Sequence, residues 1–496
     1  MVECHIVINQ YIKMSEPSLR NKTIKGTFWS AADAFLGQGI SFIVGLVLAR
    51  LLSPEEYGLI GISLTFTIIL NGVVDSGFSS SLIRKKEASN EDYNTMFITN
   101  MVVSLLMYII LYFTAPLVSI FFNREITLLV RVLGLVLIIN GLSLVQNTIL
   151  TKKLDFKTKT KISLISAIVS GVLGVVMAYI GFGVWALVAQ QLSRQILYTI
   201  LLWIFNHWLP NFRFNLTSFK YMWGFGWKLL VSGLLENLWK ELYQIVVGKF
   251  YSPATLGQYT RSRSYAQLFS SNITTIIQRV TYPVLAEVQD NRDRMVSAYR
   301  KVIKVTMFVT CICMINLGAV AEPLIYCLIG PKWHEAATYL PLICISMSLY
   351  PLHAINLNML KVQNRSDIFL YLEIIKKAYG LIPVAIGIFF DIYWMLLALI
   401  GTGIISFFLN SYYTGKKLNY SSWKQLKDIA PSYGVAIVIA LAVYFLKYLP
   451  FSYWVILPLQ IFVGIVVFLV ICEITKLEEY IEIKNIAVSA INKIRK

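Results

Sequence analysis

Charge is what this 496-residue chain has least of: 14% of its residues are charged, while 57% are hydrophobic. An average soluble domain is about 25% charged, so a soluble multidomain enzyme and a disordered regulator are excluded. The mean hydropathy of +0.66 points the same way. Long hydrophilic stretches are missing too, so nothing between the apolar segments could fold as a separate soluble domain. The four histidines (His5, His207, His334, His353) are scattered, with no His-Glu-x-x-His pair. No Gly-x-x-x-x-Gly-Lys-[Ser/Thr] loop occurs, so ATP hydrolysis by this chain is excluded. The six cysteines show no disulfide or metal spacing; Cys311 and Cys313, two apart on a helix, point to different faces and read as apolar packing. His353, two residues after Pro351, reads as a packed or partner-bonded histidine rather than a ligand. Short loops leave no room for the acids, bases or metal ligands of a membrane glycosyltransferase, polymerase or ligase. The chain therefore reads as a non-enzyme, with no cofactor and no metal site.

What is abundant is apolar runs. A spanning helix needs roughly 20 apolar residues, and about fourteen segments reach that length, from 26–50 to 453–473. The expected fold is thus an all-α polytopic membrane protein. Pro323 interrupts the ninth segment and predicts a kink or re-entrant piece there. With a cytoplasmic N-terminus, thirty basic residues fall on the inside, among them Arg84-Lys85-Lys86 and the cluster Lys152 to Lys161. Arg50, Arg124, Lys249, Lys332 and Lys447 are the five that fall outside. Such a bias predicts that both termini are cytoplasmic. It also makes the net charge of +18 a topology signal, with attraction to anionic headgroups secondary and nucleic-acid binding unnecessary. Residues 1–25 lack the order of a secretory signal, and Met14 opens a polar, basic leader that suits a start site.

Two stretches repeat. Arg50-Leu51-Leu52-Ser53-Pro54-Glu55-Glu56-Tyr57-Gly58 and Lys249-Phe250-Tyr251-Ser252-Pro253-Ala254-Thr255-Leu256-Gly257 both fit basic-x-x-Ser-Pro-x-x-x-Gly, 199 residues apart. Ser-Pro followed by Gly is also ordinary turn chemistry. The matching orientation nevertheless predicts a duplicated core: a leader 1–25, a first lobe 26–205, a linker 206–222, a second lobe 223–413, a loop 414–429, two added helices in 430–473 and a tail 474–496. Parallel repeats of this kind place a binding site at the repeat interface.

Ionisable groups at membrane depth cost on the order of 3 kcal/mol each and by default suggest function. Arg194 lies mid-helix with Gln190 one turn earlier; it either faces a cavity or locks the bundle. Glu236 and Lys240 are i,i+4 partners. Glu373 can pair with Lys376 or Lys377, leaving the other lysine as a spare cation. Arg261 and Arg263, two apart, cannot share a face. Arg131, Lys228 and Arg279 sit nearer segment ends and are expected to snorkel. Asp33 and Asp75 either pair with basic neighbours or carry a coupling cation, a role open to Glu236 as well. Basic groups outnumber acidic ones in this set, which suits an anionic ligand such as a phosphate or pyrophosphate.

The motif Leu48-Ala49-Arg50-Leu51-Leu52-Ser53-Pro54-Glu55-Glu56-Tyr57-Gly58, with Asp75-Ser76-Gly77-Phe78-Ser79-Ser80-Ser81-Leu82-Ile83-Arg84-Lys85, Lys153-Leu154-Asp155-Phe156, Tyr259-Thr260-Arg261-Ser262-Arg263-Ser264-Tyr265 and Gly330-Pro331-Lys332-Trp333, resembles the MATE-like multidrug/oligosaccharidyl-lipid/polysaccharide exporter superfamily. The nearest branch is the Wzx-type flippases for O-antigen, capsule or exopolysaccharide units. Relatives carry one Arg in an Arg-Ala-Tyr setting, so Arg261 and Arg263 both remain candidates for that position. The resemblance implies two pseudo-symmetric six-helix lobes in a V around a central cavity, plus two C-terminal helices, in the bacterial inner membrane. It implies an undecaprenyl-pyrophosphate-linked oligosaccharide as cargo, moved by alternating access, with polysaccharide polymerase and assembly proteins as partners. Arg194, Lys240, Arg261, Arg263, Lys376, Lys377 and Gln190 would then line the cavity, and proton or sodium coupling would fall to Asp33, Asp75 or Glu236. A cation antiporter of the same fold is the alternative, disfavoured by the basic excess.

Overall fold

A computed structural model describes residue 29 and residues 36–75, 77–288, 291–363 and 365–485. The expected leader, Asp33, the side chain of Arg279 and the end of the tail lie outside the described residues. Every regular element among them is helical. Among the described residues nine stretches are long and apolar enough to cross a membrane. The chain divides into two compact units, Met1–Ala254 and Thr255–Lys496.

In the first unit, α1 (Leu36–Leu51) is followed by α2 (Pro54–Asp75), α3 (Phe78–Arg84), α4 (Asn90–Phe122) and α5 (Thr127–Lys152), then α6 (Phe156–Ile180), α7 (Val184–Asn206) and α8 (Leu216–Phe250). The Ser-Pro motif is a helix start. Pro54 opens α2, where its missing N–H is no loss. Ser53 and Glu56 form a capping box: Ser53 N donates to Glu56 Oε2 at 2.6 Å, and Glu56 N donates to Ser53 Oγ at 3.3 Å. A second box, Ser89 with Asp92, starts α4. Small residues set the close approaches. A Cβ on Gly171 of α6 would stand 2.4 Å from Val44 Cγ2 of α1, and one on Gly174 would stand 2.7 Å from Gln190 Cβ of α7. This is small-residue packing of the kind membrane helices use in place of a hydrophobic drive.

The chain enters the second unit inside the first turn of α9 (Pro253–Glu287). There follow α10 (Arg292–Ala319), α11 (Ala321–Leu328), a 3-10 turn Pro331–Trp333, α12 (His334–Ser348) and α13 (Tyr350–Val362). The last helices are α14 (Ser366–Tyr379), α15 (Leu381–Phe389), α16 (Ile392–Leu418), α17 (Ser422–Tyr444) and α18 (Tyr453–Thr475). The expected interruption of the ninth segment is the α10–α11 break at Val320, three residues before Pro323. Trp333 of the Gly-Pro-Lys-Trp motif is fully buried. The five cysteines among the described residues are free, four of them buried, as apolar packing predicts.

The boundary between compact units falls at Ala254–Thr255. The reason is that α8 packs along α2 and α3. A Cβ on Gly58 would come within 1.8 Å of Pro253 O, one on Gly72 within 2.5 Å of Asn237 Nδ2, and one on Gly77 within 2.7 Å of Gly226 O. Gly77 also has φ 69, a conformation that favours glycine and lets the chain turn from α2 into α3. The first copy of the repeated motif therefore packs, through Gly58, on the Pro253 of the second.

Candidate functional site

Apolar helices that carry amides must pair them, because an unsatisfied polar group in a water-free setting costs several kcal/mol. The first unit does this in a polar seam shared by α2, α5 and α7. Asn140 Nδ2 donates to Asn71 Oδ1 at 2.7 Å, and Gln195 Nε2 reaches Asn140 Oδ1 at 3.4 Å. One turn on, Tyr198 OH donates to Asn147 Oδ1 at 3.4 Å. Next to Asn147, on an adjacent face of α5, Gln146 Oε1 accepts from Asn206 Nδ2 at 2.6 Å, and Gln146 Nε2 donates to Trp208 O at 2.9 Å. Arg194 sits on α7 directly before Gln195, half-buried, and its Nη1 donates to Ser41 Oγ of α1 at 3.3 Å. Gln190, one turn earlier, is held against Gly174. Weighing charges alone misses this seam. Its signal is in the sequence all the same, as Asn140, Ser143 and Asn147 recur at helical spacing within an apolar run.

The other residues singled out in this unit fall in separate places. Asp75 ends α2 and accepts from Ser79 Oγ at 2.5 Å, across the Gly77 turn. No ion pair reaches it among the described residues. Glu236 and Lys240 pair at 3.3 Å with about half of each side chain exposed, so they neutralise one another. Glu241 accepts from Thr65 Oγ1 at 3.4 Å, beside Gln244, which donates to Gly61 O at 2.9 Å. Arg131 lies over the Tyr112 ring, 4.1 Å from its centroid, and donates to Tyr112 O at 3.2 Å.

In the second unit, Gln258 and Ser262 face α12: Ala336 N donates to Gln258 Oε1 at 3.0 Å, and Ser262 Oγ donates to Ala336 O at 2.8 Å. Arg261 and Arg263 flank that buried stripe from opposite sides, both half-buried. On α14, Lys376 forms an ion pair with Glu373. Lys377, half-buried in the same last turn, has no ion pair or hydrogen bond among the described residues. Both lysines stand where the helix dipole favours cations. The helix breaks just beyond them, and Pro383 withholds the N–H that Tyr379 O would accept. Tyr379 OH is joined to Ser406 Oγ of α16 at 2.5 Å. On the neighbouring α13, the Nδ1 of His353 is buried with no hydrogen-bond partner among the described residues.

Helices this long and apolar, with amides paired and basic groups half-buried among them, define a polytopic membrane protein. The fold is that of solved transporters: a lipid II flippase MurJ in an inward closed conformation (TM-score 0.69, 16% identity, 91% of this chain and 98% of that one) and an inward-facing MATE family multidrug transporter (TM-score 0.59, 15% identity, 78% and 99%). The family model described as polysaccharide biosynthesis protein matches residues 47–338. The chain belongs to that family. It is similar to the succinoglycan biosynthesis transport protein ExoT of Rhizobium meliloti (24% identity, 67% of this chain and 68% of the relative). It is also similar to the teichuronic acid biosynthesis protein TuaB of Bacillus subtilis (25%, 72% and 74%) and the lipopolysaccharide biosynthesis protein WzxC of Escherichia coli (24%, 66% and 67%).

Proposed function

We propose that this protein turns undecaprenyl-pyrophosphate-linked oligosaccharide units from the cytoplasmic to the outer leaflet of the bacterial inner membrane, by alternating access, for O-antigen, capsule or exopolysaccharide synthesis. The observation that carries the reading is Arg194 held by a hydroxyl beside a seam of amides within an apolar helical unit. A guanidinium there offers forked donors to a phosphate, and the amides offer donors and acceptors to sugar hydroxyls. Lys377 supplies a second cation in the other unit, beside a pair that is already neutral. Arg261, Arg263 and Lys240 are secondary cavity residues in this reading, and Asp75 is the coupling candidate among the described residues. Polysaccharide polymerase and assembly proteins are the partners this role would require.

The test is rescue of polymer export in a host lacking its own flippase, with wild type, Arg194→Ala and Lys377→Ala at equal membrane levels. Hydrogen bonds to a charged group contribute about 1.5–3 kcal/mol, so each variant should export on the order of tenfold less. Deleting the gene in its native strain should in turn accumulate the lipid-linked unit. Absence of that accumulation would overturn the flippase reading; full rescue by both variants would overturn the cation assignment alone.

A further inference from the structure

The start of α10, the start of α17 and the end of α18 enclose a cavity of about 550 Å³ that gathers five cations: Arg300, Lys304, Lys424, Lys427 and Lys476. Its carboxylates are engaged. Asp428 accepts from Arg300 Nε at 2.5 Å, Arg300 Nη2 at 2.6 Å and Tyr420 OH at 2.7 Å. Glu478 and Glu479 lie 2.9 and 3.5 Å from Lys304 Nζ. The Lys304 ammonium holds the Glu478 carboxyl below the usual carboxylate range, which keeps that pair charged. Three lysines are left over. Lys424, Lys427 and Lys476 have no ion pair among the described residues, and Lys424 Nζ donates to Asn419 O at 3.0 Å. All three are exposed.

A second, more open groove of about 840 Å³ shares Lys424 with this cavity and is lined by Phe408, Leu409, Tyr412 and Trp423 of α16 and α17. Trp423 is 71% exposed, with its ring edge-on to Phe408 at 6.1 Å. Tryptophan and tyrosine favour the headgroup level of a bilayer. A basic cavity joined to an aromatic groove among the ends of four helices matches an amphiphile with an anionic head and an apolar tail.

We propose that this pair of cavities binds an anionic phospholipid, its phosphate on Lys424, Lys427 and Lys476 and an acyl chain along Phe408, Tyr412 and Trp423. The site lies wholly in the second unit and does not depend on the transport reading. The shared chemistry is a phosphate, so the test must separate a lipid source from a soluble one. The full-length protein in detergent would be titrated with phosphatidylglycerol or phosphatidylcholine, and retained lipid counted by native mass spectrometry. Each lysine near a headgroup favours an anionic lipid, so wild type should prefer phosphatidylglycerol by about tenfold or more. Lys424→Gln, Lys427→Gln and Lys476→Gln together should remove that preference, while the corresponding Arg substitutions should retain it. Trp423→Ala with Tyr412→Ala should weaken both lipids alike. If the triple Gln variant does not elute as a single species, the single variants decide, each expected to lower the preference about fivefold. An undiminished preference in the Gln variants, or displacement of the lipid by millimolar inorganic phosphate, would overturn the proposal.

Discussion

Lys85 reads in the sequence as one more positive charge on the cytoplasmic side, but in the structure it has a private partner. Its Nζ lies 2.7 Å from Asp92 Oδ2, and the Asp92 side chain is completely buried while Lys85 keeps 31% of its side chain exposed. Asp92 also accepts from Ser89 N at 2.8 Å, and Lys152 Nζ closes the corner by donating to Leu82 O at 3.2 Å. The asymmetry of burial predicts an asymmetry of effect. Lys85→Met strands a buried carboxylate and should cost about 3 kcal/mol, measured as a fall in unfolding midpoint in detergent. Adding Asp92→Asn removes the stranded charge, keeps an acceptor for Ser89 and should recover most of that loss. If the single variant unfolds like wild type, the pair is not what orders the α3–α4 corner. The charges of α14 divide as their spacing predicts, with one lysine neutralised by Glu373 and the other left over. Sequence spacing could not say which lysine, because i+3 and i+4 are both within reach on a helix.

Elements here approach as closely as their glycines allow. Gly58 leaves no room for even one carbon between α2 and the start of α9, while Gly39 of α1 has nothing within 4 Å of where a Cβ would stand. Gly58→Ala must push the two repeated motifs apart and should cost about 2 kcal/mol, the usual penalty of overpacking. Gly39→Ala, in a helix interior, should be neutral to slightly stabilising. Unfolding midpoints of the two variants at equal detergent concentration check this; equal values would mean that the contact at Gly58 yields without cost. The motif was legible as a helix stop and restart because serine, proline and a reaching glutamate are local chemistry. That its two copies meet was not legible, since contact between residues 195 apart depends on how α8 runs back along α2. The same packing carries α8 into the first compact unit and sets the unit boundary at Ala254–Thr255.

For the whole molecule, the charge bias predicts orientation, and two exposed positions test it: Glu87 in the turn before α4 and Glu125 in the turn after it. With the native cysteines replaced, Glu125→Cys should react with a membrane-impermeant maleimide in spheroplasts, and Glu87→Cys should react only after the membrane is opened. The reverse pattern would invert the topology and place both termini outside. Membrane class, helical fold and family were all accessible from the sequence, because hydropathy, basic-residue bias and Ser-Pro turns depend on composition and neighbours in the chain. Among the described residues nine stretches are long and apolar enough to span, against about fourteen expected segments. Of the other five, α8 and α9 are long but carry charges, α14 and α15 are the two halves of a broken helix, α7 carries Gln190, Gln191, Arg194 and Gln195, and α1 is described only from Leu36. What the sequence by itself determined is that this chain lies in a membrane and belongs to the polysaccharide biosynthesis protein family. Only the tertiary structure decided which polar groups meet: the Asn71–Asn140–Gln195 seam, the Arg194–Ser41 contact and the basic cavity beside Trp423. Hydrophobicity places a helix in the bilayer but sets neither its rotation nor its neighbours, and those come from the shape of small residues and from hydrogen bonds between polar groups on facing helices.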